Sequence, residues 1–407
     1  MGVRTMGFFL VAVALAGCAP TDSGTEDQTF GGDVAFLQKH TEVVVLKDSS
    51  GNGQVAVLPA MQGRVMTSTT GGPGGSSFGW INRELIASGE TLAHMNPFGG
   101  EDRFWIGPEG GQFSIFFEKG VPFDLDHWQT PAPIDTEPFE LVSKSQDTAV
   151  LRRAMKLSNY SGTAFDVQVD RHVLVLDREQ ALARLGAPVG PSVKMVAFES
   201  ENRMTNVGAE PWNKQTGLLS IWILGMFNPS PQTTLVIPFQ AGAENELGPV
   251  VNDAYFGKVP AARLVIRDGV LFFSGDGQYR SKIGLSPQRA TDVAGSYDAA
   301  GKVLTIVQYN KPEGASDYVN SMWELQDAPY SGDVINAYND GPPEPGAKPM
   351  GPFYELETSS PAAALAPGQS IVHTHRTFHL VGDEAELDPI AQALLGASIA
   401  EIVSALP

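Results

Sequence analysis

With 407 residues and 42% hydrophobic content, the chain can bury one large core or two ordinary ones. Its formal net charge of -19, from 27 Lys+Arg against 46 Asp+Glu, would repel a phosphate backbone over most of the surface and excludes nucleic acid as a partner. Gly 44 and Pro 29, scattered along the chain, are too many for a helical protein and point to short strands joined by turns.

The chain opens with MGVRTMGFFLVAVALAGCAP, in which Arg4 precedes an apolar run from Phe8 to Leu15. That run is too short to span a bilayer and reads as a cleaved signal over residues 1–17. Its ending, Leu15-Ala16-Gly17-Cys18, resembles the bacterial lipoprotein lipobox, which makes Cys18 the lipidated first residue of the mature chain. An ordinary signal peptide with an incidental cysteine is the alternative. Cys18 is the sole cysteine, so no disulfide forms within the chain. Ala19 follows it in place of Asp, which for such lipoproteins implies the outer membrane, and the polar stretch TDSGTEDQT within residues 18–30 reads as a tether.

From Gly31 the apolar residues recur at a period of about two in short runs bounded by Gly, Pro, Asn and Asp, which predicts strands. In FDVQVDRHVLVLD, Phe165, Val167, Val169, Arg171 and Val173 share one face, and Asp166, Gln168, Asp170, His172 and Leu174 share the other. LLSIWILGMF, from Leu218 to Phe227, is nearly all apolar and predicts a strand buried on both faces. Asp268-Gly269 between two β-rich runs predicts a hairpin. GPGGSS at 72–77 and GPPEPGAKP at 341–349 read as loops, and no composition break divides residues 31–382. The tail, 383–407, predicts a helix capped by Asp388 with Pro389 at its first position and Ile390, Leu394, Ile399, Ile402 and Leu406 along one stripe. The expectation is an all-β fold, one large antiparallel sandwich with a short C-terminal helix packed on it.

The closing stretch carries a family resemblance. Leu356-Glu357-Thr358, Pro361, Leu365-Ala366-Pro367-Gly368-Gln369 and His373-Thr374-His375-Arg376-Thr377-Phe378 follow the order of motifs that ends galactose mutarotase-like domains, the aldose 1-epimerase supersandwich. NPFGGEDRFWIGPEGGQ, Asn96 to Gln112, is similar to the Gly-Gly-x-x-Arg-x-Trp segment of that superfamily, and RMTNVGAEPW, Arg203 to Trp212, to its strand-Asn-loop element. The chain looks like an uncharacterised secreted bacterial branch of it. The resemblance implies a β-supersandwich and acid-base work at a sugar's anomeric centre, with Glu357 matching the glutamate that takes the anomeric hydroxyl proton. The family's two histidine positions hold Phe98, in Asn96-Pro97-Phe98-Gly99-Gly100, and Val207, after Asn206.

Glu355 and Glu357 share a strand face, and close carboxylates in a cleft raise one another's pKa; a solvated face or an ion pair with an arginine is the alternative. Lys282 is a candidate replacement acid, because a buried lysine can titrate near neutrality. Arg103, Trp105, Glu109 and Gln112 combine a flat apolar surface with polar groups, as saccharide recognition requires, with an edge arginine and a core tryptophan as the structural alternative. His94, His127, Trp128, Trp323 and Glu324 join the binding candidates. His373, His375 and His379 share one parity; a wet polar strand face is expected there, with metal ligation the alternative. Asp333, Asn336, Asn339 and Asp340 offer oxygens to Ca²⁺, although Asn339-Asp340-Gly341 also reads as a turn. No other cofactor motif is present in the sequence. The expected protein is a lipid-anchored envelope protein, touching the membrane only through its anchor, that binds or acts on a carbohydrate or glycan. A non-catalytic glycan-binding module and a structural envelope protein are the alternatives.

Overall fold

The computed structural model describes residues 29–407, so the expected signal peptide, Cys18 and most of the tether lie outside the described residues. At the first described residue, Thr29, the hydroxyl accepts from the Gly32 amide and caps the helix Phe30–Gln38.

Ten antiparallel strands form the main sheet, in the order Leu264–Arg267, Val270–Ser274, Thr233–Pro238, Val293–Asp298, Val303–Tyr309, Ser370–Val381, Lys194–Asn206, Ala164–Val175, Thr148–Ser158 and Glu140–Lys144. A five-stranded sheet lies against it, ordered Ser281–Leu285, Ile335–Asn339, Tyr354–Ser359, Ser220–Phe227 and Arg103–Gly107. A third sheet, Val44–Lys47, Gln54–Leu58 and Arg64–Thr69, joins through a bridge between Val65 and Asp102. Alternation explains the layering. Phe165, Val167 and Val169 of the large sheet meet Phe104, Ile106, Ile221 and Ile223 of the five-stranded one, and at the other end Leu235, Ile237 and Phe273 meet Ile283, Ala337 and Leu356. The expected antiparallel supersandwich forms. Ser220–Phe227 is buried on both faces, and Asp268-Gly269, both at positive φ, turn the expected hairpin between Arg267 and Val270.

The tail departs from expectation. Helix Glu384–Leu395 starts one turn earlier than predicted, after Asp383, and contains Pro389 in its interior; Gly396 ends it and a second helix, Ile399–Val403, follows. Asp388 is not the cap. Its carboxylate accepts from the Ile399 amide at 2.7 Å and so ties the two helices together. Leu387, Ile390, Leu395, Ile399 and Ile402 cover Val236, Phe272, Ile306, Phe378 and Leu380 on the outer face of the large sheet, with Ala181 and Leu185 of the unanticipated helix Arg178–Leu185 beside them.

That third layer overturns the expected wet face of His373, His375 and His379. All three are buried and point into the sandwich. The Thr358 hydroxyl contacts His373 Nε2 at 2.8 Å and His375 Nδ1 at 2.9 Å, while His379 Nε2 meets Glu101 at 2.6 Å. With Arg171, Asp102, Asn202 and Ser200 they make a polar seam between the sheets. The histidine face of Ser370–Val381 is covered by this seam, and Phe378 and Leu380 on the opposite face are covered by the helices, so the polar parity has a partner rather than water.

Candidate functional site

The five-stranded sheet turns its second face outward. Cross-strand pairing places Lys282, Tyr338, Glu355 and Met226 in one row, Asn336, Glu357, Leu224 and Arg103 in the next, and Trp222 and Trp105 in a third. Every one of these residues has the parity opposite to Ile283, Ala337, Leu356, Ile223 and Phe104, which enter the core. Loops fold over this face, bringing Glu109, Leu125 and Trp128 from one side, Phe256 and Arg280 from another, and Trp323, Asp340 and Met350 from a third. They enclose a cleft of about 220 Å³ that runs into an outer lobe of about 290 Å³, lined by Glu109, Tyr255, Arg280, Lys282, Trp323 and Glu324 among others.

Aromatic rings make one wall. Trp105 packs edge-on to Trp222 at 5.6 Å between centroids and lies 5.4 Å from Phe116, which stacks on Trp128; Trp128 and Trp323 are 5.7 Å apart. The Arg103 guanidinium lies 5.1 Å from the Trp105 ring centre. Arg103 and Trp105 both line the cleft, and both are almost fully buried, Trp105 also packing within the core. The indole Nε1 atoms of Trp105 and Trp128 and the Nε of Arg103 are buried without a hydrogen-bond partner among the described residues.

Charged groups lie beneath and beside the rings. Arg103 is ion-paired with Glu355, and Lys282 Nζ sits 3.0 Å from Glu357 Oε2, to which Trp222 Nε1 also donates at 3.0 Å. Arg103 and Glu357 share one sheet face with Leu224 between them, roughly 10 Å apart at two strand spacings. Glu357 does not line the cleft, however. It lies under the floor at 1% exposure, beneath Trp222 and Lys282, with Oε1 unpartnered. Glu355, the candidate beside it, does line the cleft. The expectation that Lys282 titrates near neutrality is corrected. Burial lowers its pKa, but Glu357, Glu109 and Glu355 together outweigh burial and raise it, so it stays an ammonium ion.

Glu109 is the carboxyl left with work to do. Its backbone amide donates to the Ser321 hydroxyl at 3.1 Å, and its carboxylate accepts from the Trp323 indole. Burial, with help from Glu357 and against the pull of Lys282, pushes it up to about 7. Burial also lifts Glu355, against Arg103, and lifts Asp340 to about 6 while that carboxylate accepts from the Tyr338 hydroxyl and the Gly351 amide.

The remaining candidates separate. Trp128 and Trp323 line the cleft, and Glu324, itself exposed, lines the adjoining lobe. Gln112 does not reach the cleft: its side chain donates to the Gln326 carbonyl at 2.8 Å and accepts from the Gln326 amide at 3.0 Å, which fastens the loop bearing Glu109 to the loop bearing Trp323. His94 is also displaced, its Nδ1 meeting the Trp128 carbonyl at 2.7 Å, and His127 is exposed and paired with Asp124. The four oxygen donors suggested for Ca²⁺ do not converge. Asp333 accepts from Tyr255 and Asn252, Asn336 faces Tyr255, and Asn339 donates to Asp276 and the Tyr279 carbonyl. Among the described residues no three His, Cys, Asp or Glu side chains are grouped to hold a metal ion. Phe98 is buried beside Arg64, and Gly99, at φ 101°, has no room for a Cβ, which would stand 2.0 Å from the Trp80 carbonyl. Asn206 donates to the Glu210 and Leu365 carbonyls. Phe98 serves the fold, whereas Val207, beside Asn206, is exposed at the surface.

The site's cleft residues missed by sequence reasoning are Trp222, Tyr338, Tyr255 and Phe256. Trp222 sits in a run apolar at nearly every position, where no alternation marks an outward face.

Opposing titrations set the acid stability. Burial pushes His373 down to about 3 and His375 down to about 4, whereas unfolded histidine protonates near 6.5. As pH falls from about 6.5 towards 4 the unfolded chain gains those protons and the folded one does not, so stability is lost. Glu109, Glu355 and Asp340 have the opposite sign. Raised in the fold, they bind protons between about 7 and 4 that the unfolded chain does not, and stability is gained. Thermal melts are expected to stay nearly level down to about pH 4.5 and then to fall. In Glu109→Gln the decline starts at a higher pH; an onset unmoved by this change would show that Glu109 is not among the opposing groups.

Among known proteins, a family model described as a family of unknown function, DUF6786, matches residues 28–406. No curated protein matches the chain. Among solved structures, the Slr1438 protein from Synechocystis sp. PCC 6803 is similar at 13% identity and a TM-score of 0.50, over 84% of this chain and 96% of that one. A galactose mutarotase-like protein from Lactobacillus casei ATCC 334 is similar at 11% identity and a TM-score of 0.47, over 83% and 100%. A galactose mutarotase related enzyme from Lactobacillus acidophilus is similar at 9% identity and a TM-score of 0.45, over 83% and 97%. The fold is an antiparallel β-sandwich similar to that of the Slr1438 protein.

Proposed function

The chain belongs to the DUF6786 family, whose function is unknown, so the chemistry must be read from the cleft, and we propose that it binds a saccharide there and moves a proton at it. The supporting observation is Glu109, a carboxyl pushed up to about 7 in an aromatic-walled cleft between Trp323 and the fixed Lys282–Glu357 ion pair. A group with a pKa near ambient pH can give and take a proton without a large driving force in either direction. Tryptophan faces suit the C–H face of a pyranose, and Arg103, Glu355 and Asp340 suit its hydroxyls. The reaction this favours is acid-base exchange near the anomeric carbon, with Glu109 as the exchanging group. Glu357 acts through Lys282 as a positioning residue. The Cys18 anchor and its tether hold the domain at the bacterial envelope, on the outer membrane.

One observation favours a second reading, a glycan-binding module without turnover: Glu357, the residue matched to the mutarotase base, is covered by Trp222 and Lys282. Calorimetry against a panel of mono- and oligosaccharides tests binding in either case. Trp323→Ala is expected to weaken the tightest ligand about tenfold, or about 1.4 kcal/mol, without moving the melting temperature much, because Trp323 is half-buried on a loop. Failure of every saccharide to bind the wild type would overturn both readings.

A further inference from the structure

The cleft holds a cation that the reaction proposed above does not use. Arg103 is paired with Glu355, Lys282 with Glu357, and Lys348 lies 3.7 Å from Glu84 at the surface. Arg280 also lines the cleft, in both of its lobes, yet among the described residues its guanidinium makes no hydrogen bond or close ion pair and only attracts the Asp340 and Glu109 carboxylates from further off. It lies over the Phe256 ring with Cζ 3.9 Å from the ring centre, a contact that orients the flat face and leaves the N–H edge unused.

Its position is built. The Tyr279 carbonyl, one residue earlier, accepts from Asn339 Nδ2 at 3.0 Å, and Gly341 passes so close that a Cβ there would stand 2.5 Å from the Arg280 amide nitrogen. Arg280 then enters the edge strand Ser281–Leu285, which is paired through Ser281 with Asn339. The backbone at Arg280 is thus anchored on two sides, while its side chain is held by the half-exposed Phe256 at the mouth. In a chain of net charge -19, an arginine in this place is not part of a general basic surface.

We propose that Arg280 reads an anionic substituent, a carboxylate or a phosphate, on the saccharide, so that the ligand class is an acidic sugar rather than a neutral one. This rests on the saccharide reading of the same cleft. The guanidinium fork matches either oxyanion with two parallel N–H bonds, which the single ammonium of a lysine does not reproduce. Of the neighbouring carboxylates, Glu355 and Glu357 are each balanced by their own cation, while Asp340 and Glu109, which Arg280 attracts without pairing to either, are pushed towards their neutral forms by burial.

The test is calorimetry with matched ligands: glucuronate and galacturonate, the corresponding hexose 6-phosphates, and neutral glucose and galactose. At least one acidic sugar is expected to bind about tenfold or more tightly than its neutral counterpart, and the preference is expected to shrink as salt is raised. The uronate and phosphate arms distinguish the source of the charge. Arg280→Gln should erase the preference while leaving neutral-sugar affinity within about twofold, a change of roughly 0.4 kcal/mol; Arg280→Lys should restore part of it. Equal affinity for acidic and neutral sugars in the wild type would overturn the inference and leave saccharide binding standing. Absence of binding by any of the six would overturn both.

Discussion

Asp102→Ala is expected to lower the stability of the folded protein by about 3–5 kcal/mol, the usual result of removing one partner from a buried ion pair. Asp102 and Arg171 are both fully buried, between the five-stranded sheet and the large one. One Asp102 oxygen meets the Arg171 guanidinium and the other accepts from the Ser200 hydroxyl at 2.7 Å. Arg171 spends its other donors on the Asn202 side chain at 2.6 Å and the Gly63 carbonyl at 3.0 Å. After truncation the guanidinium keeps these neutral acceptors and the Asp102 carbonyl but loses its only anionic partner in the described contacts. It cannot shed its charge, because arginine stays protonated. Urea unfolding measures the loss as a lower midpoint at unchanged slope. Asp102→Leu combined with Arg171→Met should recover much of it, since an apolar pair of similar volume avoids the desolvation altogether. A loss below about 1 kcal/mol for the single substitution would show that the pair is a surface-like contact.

Arg171 also shows what the sequence reveals and where it stops. Alternation in FDVQVDRHVLVLD places Arg171 with Phe165, Val167, Val169 and Val173, and the structure puts all five on the buried face. A period of two assigns residues to faces but does not say which face meets water. The same logic groups His373, His375 and His379 correctly but expects their face to be wet, because a period of two does not show that the helices of residues 383–407 and Arg178–Leu185 fold back over the opposite face of the sheet. The hairpin at Asp268-Gly269 was legible because its turn chemistry is local. The pairing of Arg103 with Glu355 was not, since 252 residues separate them and strand order decides the contact. Trp222 was hidden for a different reason, that a strand buried on both faces carries no polar mark of the side that lines a cleft. Glu109 and Trp323 were found from residue type, but that Gln112 fastens their loops together needed coordinates.

Glu109→Gln is expected to reduce turnover of a bound saccharide by about 10²- to 10⁴-fold while leaving its affinity nearly unchanged, the span usual for losing one placed acid or base. Glutamine keeps the size of the side chain, and its carbonyl oxygen can still accept from the Trp323 indole, so the loop geometry survives. Only the proton is removed from the exchange. The loss therefore falls on kcat rather than KM, as it does when an interaction belongs to the transition state alone. Anomer exchange followed by polarimetry or NMR gives the rate, and the wild-type pH profile is expected to show a limb near 7 that vanishes in the variant. Glu355→Gln offers the contrast. It strips Arg103 of its carboxylate within the cleft wall, so its effect should appear in binding and stability as well as in rate. A limb that persists near 7 in Glu109→Gln would move the proton-exchanging role to Glu355, the other cleft carboxyl that burial raises to about 7. Saccharide bound without any turnover by the wild type would instead establish the non-catalytic reading, in which the lifted Glu109 carboxyl serves as a hydrogen-bond donor to a sugar hydroxyl below about pH 7.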